Sequence, residues 1–363
     1  MDILRPAFIL DPAKAKDNIR IMAAKARASG VIFRPHFKTH QSRFIGGWFR
    51  NEGVSRITVS SLTMARYFAD DGWNDITVAF PVNLPEIGLI NDLASRIRLG
   101  LVVEDLMTMI ELTNRLTSPV DIYIKIDSGY HRTGLEPSDK DEIIRIKAAA
   151  DAGALTAFSG ILTHAGNTYS ANGPEAIAEI ARQSMDSMLR VKSFLGDVGN
   201  CLISVGDTPS CSVLENFNGA DEIRPGNFVF YDLMQMNIGS CTFSQIAGIV
   251  GCPVVAVHPR RRQAVIYGGA VHLSKDRILV EGKSVYGQLV EWDGMRWGVP
   301  VENSFLVSLS QEHGILEAPD KVIKMLRPGM IIGIIPVHSC LTANLLRRYH
   351  LISGETIDHM EGN

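Results

Sequence analysis

Val31-Ile32-Phe33-Arg34-Pro35-His36-Phe37-Lys38-Thr39-His40 runs from a short apolar segment straight into a basic one, with a lysine set between two histidines. The apolar half reads as a short buried strand, and the basic half as the loop at its carboxyl end. A lysine held there sits in a partly desolvated mouth, where its neutral amine becomes accessible and attacks a carbonyl carbon. The plainer alternative is a solvated basic loop. The residues that succeed the other apolar runs of the chain decide between them.

Upstream, Asp11 and Pro12 open a helix whose apolar positions are Ile19, Met22, Ala23 and Ala26, and Gly30 ends it. Downstream the pattern alternates. A helical stretch near 43–52 precedes a strand from Ile57 to Ser60, and a helix from Thr63 to Asp70 precedes a strand from Ile76 to Ala79. Further strands read at Ile97 to Val102, Val120 to Ile126, Phe158 to Leu162, Cys201 to Val205 and Glu222-Ile223, with helical patterns at 104–116, 138–151 and 175–196 between them. Counted from Val31 these are eight strands. Eight strands alternating with helices over roughly two hundred residues predict an α/β fold, a closed (β/α)8 barrel of TIM type, with function at the strands' carboxyl ends.

Those ends carry Lys38 after the first strand, Asp127 to Gly134 after the fifth and His164 to Tyr169 after the sixth. Gly206-Asp207-Thr208-Pro209-Ser210 follows the seventh and Arg224 to Tyr231 the eighth. The Gly206 to Ser210 turn combines backbone freedom with two hydroxyls, which suits a phosphate at a barrel mouth, or simply a capped turn. Arg132 offers a planar guanidinium to an anion, unless Asp127 takes it in a structural ion pair.

From about Cys241 the texture changes to short β-branched runs separated by turns: Gln245 to Val250, Val254 to His258, Gln263 to Tyr267, Ile278 to Val280, Tyr286 to Val290, Ser304 to Leu309 and Met330 to Ile335. No strong helix is expected among them. The chain therefore reads as a barrel over 11–240 and a mostly β domain over 241–363, with residues 1–10 pairing with the latter as an extra strand. Within it His338-Ser339-Cys340, if extended, turns an imidazole and a thiolate to the same side, a geometry that suits zinc with open positions. The alternative for Cys340 is a buried small hydrophobe. His313 in Gln311-Glu312-His313-Gly314 either lines the same site or is a structural histidine.

With 46% hydrophobic residues, 363 positions are ample for a large domain and a smaller one. A formal net charge of -3, with both signs spread along the chain, offers no basic stripe for nucleic acid. No secretory segment and no apolar run of membrane-spanning length is found, so a soluble cytoplasmic protein is expected. Five cysteines, Cys201, Cys211, Cys241, Cys252 and Cys340, at irregular spacing argue for reduced thiols rather than a disulfide framework.

Seven stretches taken in order, PHFKTH at 35–40, KIDSGYHRTG at 125–134, HAGNTY at 164–169, GDTPSC at 206–211, RPGNFVFYDLMQ at 224–235, QEHG at 311–314 and PVHSCLTANL at 336–345, resemble the D-serine dehydratase and D-threonine aldolase family. These are pyridoxal-phosphate enzymes related to alanine racemase through the cofactor-binding barrel. The resemblance implies that Lys38 is the catalytic lysine and carries pyridoxal 5'-phosphate. Thr208 with Gly206 and Ser210 would hold its phosphate, and Arg132, His164, Tyr169, Asn227 and Tyr231 would shape its pocket. It implies a divalent metal, Zn2+ or another, on His338 and Cys340. Where the aldolase branch typically shows His-Cys-Asp this chain has His338-Ser339-Cys340, and a thiolate favours zinc over oxygen-seeking cations, which points to the dehydratase branch. The implied reaction takes a β-hydroxy D-amino acid, D-serine foremost, to a keto acid and ammonia in a homodimer. Retro-aldol cleavage and racemisation are the alternatives. The segment from Ile266 to Asp276 departs from either branch, and its His272 and Lys275 either reach a substrate carboxylate or lie on a solvated β-hairpin.

Overall fold

A computed structural model describes residues 3–196 and 201–361. The chain forms two compact units: a barrel unit of Arg20–Lys38 and Gly46–Gly226, and a β unit of Met1–Ile19, Thr39–Ile45 and Asn227–Asn363.

The barrel unit holds eight parallel strands, Ile32–Phe33, Ile57–Val59, Asp75–Pro81, Arg98–Val103, Val120–Lys125, Thr156–Leu162, Leu202–Val205 and Glu222–Ile223. From the second onward each strand pairs with the next in sequence, and the eighth pairs back to the first through Ile32 with Glu222 and Phe33 with Ile223. The remaining seam lies between the first and second strands. It is joined by Phe37 N–H to Thr58 O and Thr58 N–H to Pro35 O, both 2.9 Å, around a parallel bridge of His36 with Thr58. The ring is thus closed as the alternation predicts. Its strands are short, β-branched and buried on both faces, the expected texture of a parallel sheet covered by helices. Two helices of this unit are not anticipated, the short Thr208–Val213 and Ile87–Ala94, the latter of which buries Ile90, Leu93 and Ala94. Pro85 and Gly88 disguise it, but Pro85 lies in the preceding turn Leu84–Glu86, where no helical N–H is needed.

A chain of buried charges crosses the inside of this ring. Arg34, 3% exposed, donates through Nε to Glu222 Oε2 at 2.6 Å and through Nη1 to Asp75 Oδ1 at 2.5 Å. Fully buried Glu222 accepts Ser204 Oγ on its other oxygen at 2.6 Å, and Ser204 Oγ accepts Arg224 Nε at 2.7 Å. Arg224 also reaches the carbonyl of Thr163. Burial opposes the Arg34 charge, but Glu222 and Asp75 outweigh it and raise its pKa.

In the β unit nine strands run in the order Gln263–Tyr267, His313–Glu317, Trp297–Leu309, Gly287–Trp292, Ile331–Pro336, Gly248–His258, Ala7–Leu10, Tyr349–Leu351 and Thr356–Ile357. Gly248–His258 also pairs with Gln263–Tyr267, so six of these strands close on themselves around Val254, Ile266, Leu306, Leu316 and Ile334. Ala7–Leu10 runs antiparallel to Gly248–Gly251, and a Cβ at Gly248 would sit 2.4 Å from the Phe8 ring. The two strands expected at 245–250 and 254–258 are one, because Pro253 is absorbed next to a bulge between Val254 and Ala256. Helices do interrupt this unit, at Ala270–Leu273, Asp320–Ile323 and Ser339–Leu346.

Removing Arg34 strands Glu222 in a place water does not reach. Arg34→Met is expected to cost about 3–5 kcal/mol, read from urea unfolding, whereas Arg34→Met combined with Glu222→Gln should recover more than half of the loss. A single variant within about 1 kcal/mol of wild type would contradict the buried pair.

Candidate active site

Lys38 lies on a turn just past the first barrel strand, between Phe37 and Thr39, both with no exposed surface. The Phe37 ring is wedged against Phe49, Phe68 and Trp73 at centroid distances of 4.9, 5.0 and 5.0 Å. Packing therefore fixes the backbone while the Lys38 side chain itself is exposed, more open than the desolvated mouth expected of it. Its backbone N–H donates to His36 Nδ1 at 3.3 Å, which makes Nδ1 the bare nitrogen of that ring.

Around it the strand ends bring up more cations than anions. Burial, then the charges of Lys38, Arg224 and His164, hold the His36 pKa well below the usual range. Burial and Lys38 do the same to His164, whose Nδ1 faces Gly206 O at 3.1 Å and so carries the ring's proton. His164 lies edge-on to Tyr130 at 6.0 Å and tilted to Tyr169 at 6.3 Å. Lys125, the last residue of the fifth strand, is 5% exposed, and burial together with Arg224 and Arg132 lowers its pKa to about 7. Arg224, 4% exposed, is brought down to about 10 by burial against the pull of Glu222.

Arg132 is exposed and stacks over the Tyr130 ring at 5.0 Å. The alternative ion pair with Asp127 does not form among the described residues. Asp127 Oδ1 instead accepts the backbone N–H groups of Gly129, Tyr130 and His131 at 2.9, 2.9 and 3.0 Å. With His131 and Glu136, Asp127 makes the one group of three clustered metal-type ligands among the described residues, and it serves as a loop cap.

The turn after the seventh strand is a capped one. Asp207 Oδ1 accepts Ser210 N–H at 2.8 Å and Thr168 Oγ1 at 2.9 Å, opening the short helix Thr208–Val213, and burial raises its pKa to about 6 against those bonds. Gly206 takes φ +143, and a Cβ there would lie 2.5 Å from Arg224 N. Thr208 is fully buried, and Ser210 Oγ is buried with no hydrogen-bond partner. The buried Ser210 hydroxyl and an excess of cations at one rim fit a phosphate-bearing cofactor.

In the β unit the premise that His338-Ser339-Cys340 is extended does not hold. His338 is extended (φ -133, ψ 100) as the cap of Ser339–Leu346, and Cys340 lies in the first helical turn. The two residues still adjoin at the start of this helix, and Cys340 is among the groups that raise the His338 pKa. On its other face His338 Nδ1 lies 2.6 Å from Asp276 Oδ2. Burial works against charge on His338, but Asp276 and Cys340 overcome it and lift the pKa to about 11. A carboxylate that holds one nitrogen of an imidazole, with a cysteine two residues on, is a donor set that fits a divalent cation. None of the five cysteines is in a disulfide.

Asn227, expected at the cofactor, spends its amide on Asp232 Oδ2 at 2.6 Å, Ser339 Oγ at 3.1 Å and Cys340 Sγ at 3.4 Å, while its Oδ1 is buried without a partner. Tyr231, 4% exposed, is held at φ +49, an uncommon conformation for a bulky residue and a mark of strain. His313 is exposed on its strand. His272 lies on a short helix rather than a hairpin, edge-on to Tyr267 at 5.3 Å and with Nε2 3.7 Å from Glu312, and Lys275 is exposed. Sequence reasoning passed over Lys125, Arg224 and Asp276. A charge on an otherwise apolar strand end was the available signal for the first two. Asp276 offered none, being 62 residues from the histidine it holds.

The alanine racemase N-terminal domain family matches residues 10–233, and a serine dehydratase domain matches 247–352. A D-threo-3-hydroxyaspartate dehydratase of Delftia sp. (strain HT23) is 29% identical over 96% of this chain and 94% of its own length. A D-serine dehydratase of Dictyostelium discoideum is 28% identical over 96% and 93%. The solved structure of the Delftia enzyme superposes with a TM-score of 0.90 at 27% identity, covering 100% of this chain and 98% of that one. A variant of that enzyme with a cysteine replaced by alanine has been solved in a metal-free form.

For Lys125 the folded pKa of about 7 lies below the ordinary 10.5. Between these values the unfolded chain binds more protons, so this residue's contribution makes stability rise with pH across that window. Cofactor-free Lys125→Met is therefore expected to be more stable than wild type near pH 6, with the difference shrinking toward pH 10. Urea midpoints across the range check it, and a pH-independent difference would contradict a buried amine.

Proposed function

Because the chain belongs to the alanine racemase N-terminal domain family and carries a serine dehydratase domain after it, we propose that it is a pyridoxal-phosphate-dependent lyase of β-hydroxy D-amino acids. D-serine is the substrate proposed first, giving pyruvate and ammonia. D-threo-3-hydroxyaspartate, on which the Delftia relative acts by name, is the second. The observation that carries the reading is the barrel mouth. An exposed lysine on a rigidly packed turn stands beside two histidines kept neutral and a surplus of cations that an anionic cofactor and an amino-acid carboxylate would balance.

In this reading Lys38 would hold the cofactor by its aldehyde, and its amine would take the substrate's α-proton. Thr208, Ser210 and the Gly206 backbone hold the phosphate, and Arg132, His164, Tyr169, Asn227 and Tyr231 bound the pocket. Bound pyridoxal phosphate supplies an electron sink for the α-carbon. His338 and Cys340 hold a divalent cation, zinc by the preference of a thiolate, which supplies charge stabilisation for the departing β-oxygen. Asp276 keeps His338 turned toward it. Five cysteines outside any disulfide support a reducing, cytoplasmic setting, and a homodimer is the assembly proposed. No described helix is long and apolar enough to cross a membrane.

Purified protein supplied with cofactor and zinc should release pyruvate from D-serine in a coupled assay, and chelation should abolish it. Lys38→Ala should lose at least about 10²-fold in rate together with the visible absorption of the bound cofactor. Glycine and an aldehyde from D-threonine would establish an aldolase instead. Racemisation without ammonia would overturn the lyase reading.

A further inference from the structure

A cysteine packed in apolar surroundings is inert, so one that faces a cation has to be supported by hydrogen-bond donors. In the β unit Thr39 Oγ1 lies 3.2 Å from Cys340 Sγ and Asn227 Nδ2 lies 3.4 Å from it. Which end of the Asn227 amide faces the sulfur is fixed by Asp232. Its Oδ2 takes the Ser339 backbone N–H at 2.9 Å and is therefore an acceptor, so the atom 2.6 Å away on Asn227 must be the NH2 group. One amide hydrogen goes to Asp232, and the other is shared between Ser339 Oγ and Cys340 Sγ. The sulfur is thus an acceptor from Asn227. Thr39, Asp232 and Ser339 are all at or below 1% exposure, so water does not compete for these bonds. Thr39 is also the residue that follows Lys38, on the turn pinned by Phe37.

We propose that Thr39 and Asn227 are positioning residues for Cys340, each donating to its sulfur and leaving the remaining lone-pair density directed toward a divalent cation shared with His338. Asp232 holds Asn227 in the donating orientation. The inference rests on the metal reading of His338 and Cys340 given above. Its consequence is electronic as well as geometric. Two donors draw density from the sulfur, which makes it a less covalent ligand, and they fix its position.

The test uses the full-length protein loaded with cobalt(II), whose thiolate-to-metal charge-transfer absorption reports the donor strength of the sulfur, and with zinc, whose affinity is read by competition with a chromophoric chelator. Thr39→Val is expected to move the band to longer wavelength and weaken zinc about 10-fold, and Thr39→Ser to restore both. Asn227→Leu should move the band in the same direction and serves if Thr39→Val does not fold. Asp276→Asn, which acts through His338, should weaken zinc while leaving the band in place. A band that stays at the wild-type position in Thr39→Val and Asn227→Leu, with or without a loss of affinity, overturns the proposed role of both residues. An unmutated protein that binds neither metal overturns the metal reading itself, an outcome distinct from an unmoved band.

Discussion

The ion pair between Arg34 and Glu222 is the constraint around which the barrel is arranged. Two charges in a medium that cannot solvate them are stable only while both are present and their remaining hydrogen-bonding groups find partners, and here Asp75 accepts from Arg34 and Ser204 donates to Glu222. The pair ties the residue after the first strand to the eighth strand, beside the place where the ring has to close. Through Ser204 the same network reaches Arg224, so the interior charge chain ends at the rim where the chemistry is placed. Arg34 and Lys38 share one decapeptide, so the residue that helps close the barrel also helps set the position of Lys38.

Much of this could be read from residue order. Eight β-branched runs alternating with helices announce the ring, and Lys38, His164 and the Gly206 to Ser210 turn all follow its strands. What escaped has a common cause. Lys125 and Arg224 lie at the ends of strands where a cation looks like a solvated terminus, and only the closed ring shows them buried among like charges. Asp276 became legible only once a short helix and a loop had carried it to His338. The convergence of His338 and Cys340 was anticipated on a mistaken ground: a helix cap and first turn bring them together, where alternation along a strand was assumed.

The surroundings of Lys38 and those of Cys340 are built on different principles. At the barrel mouth, burial and mutual repulsion keep His36 and His164 neutral, and the bond to Gly206 O fixes which nitrogen of His164 carries the proton. Around Cys340, polarity is matched donor by donor: Thr39, Asn227, Asp232 and Ser339 leave few groups unsatisfied, and Asn227 Oδ1 is one of them. One region is poised by excess charge and the other by near-complete pairing. Bound negative charge would balance the first.

The β unit is assembled from three separated lengths of chain, which has a consequence for biosynthesis. Ala7–Leu10, whose Phe8, Ile9 and Leu10 are wholly or nearly wholly buried, leaves the ribosome early, yet its antiparallel neighbour at Gly248–Gly251 and its parallel neighbour at Tyr349–Leu351 are translated long afterwards. Throughout that interval an apolar strand edge is open to aggregation or to capture by a chaperone. The barrel strands lie within a continuous stretch that emerges well before the last of those partners, so the nascent chain can complete its ring first and must then keep its earliest strand in reserve.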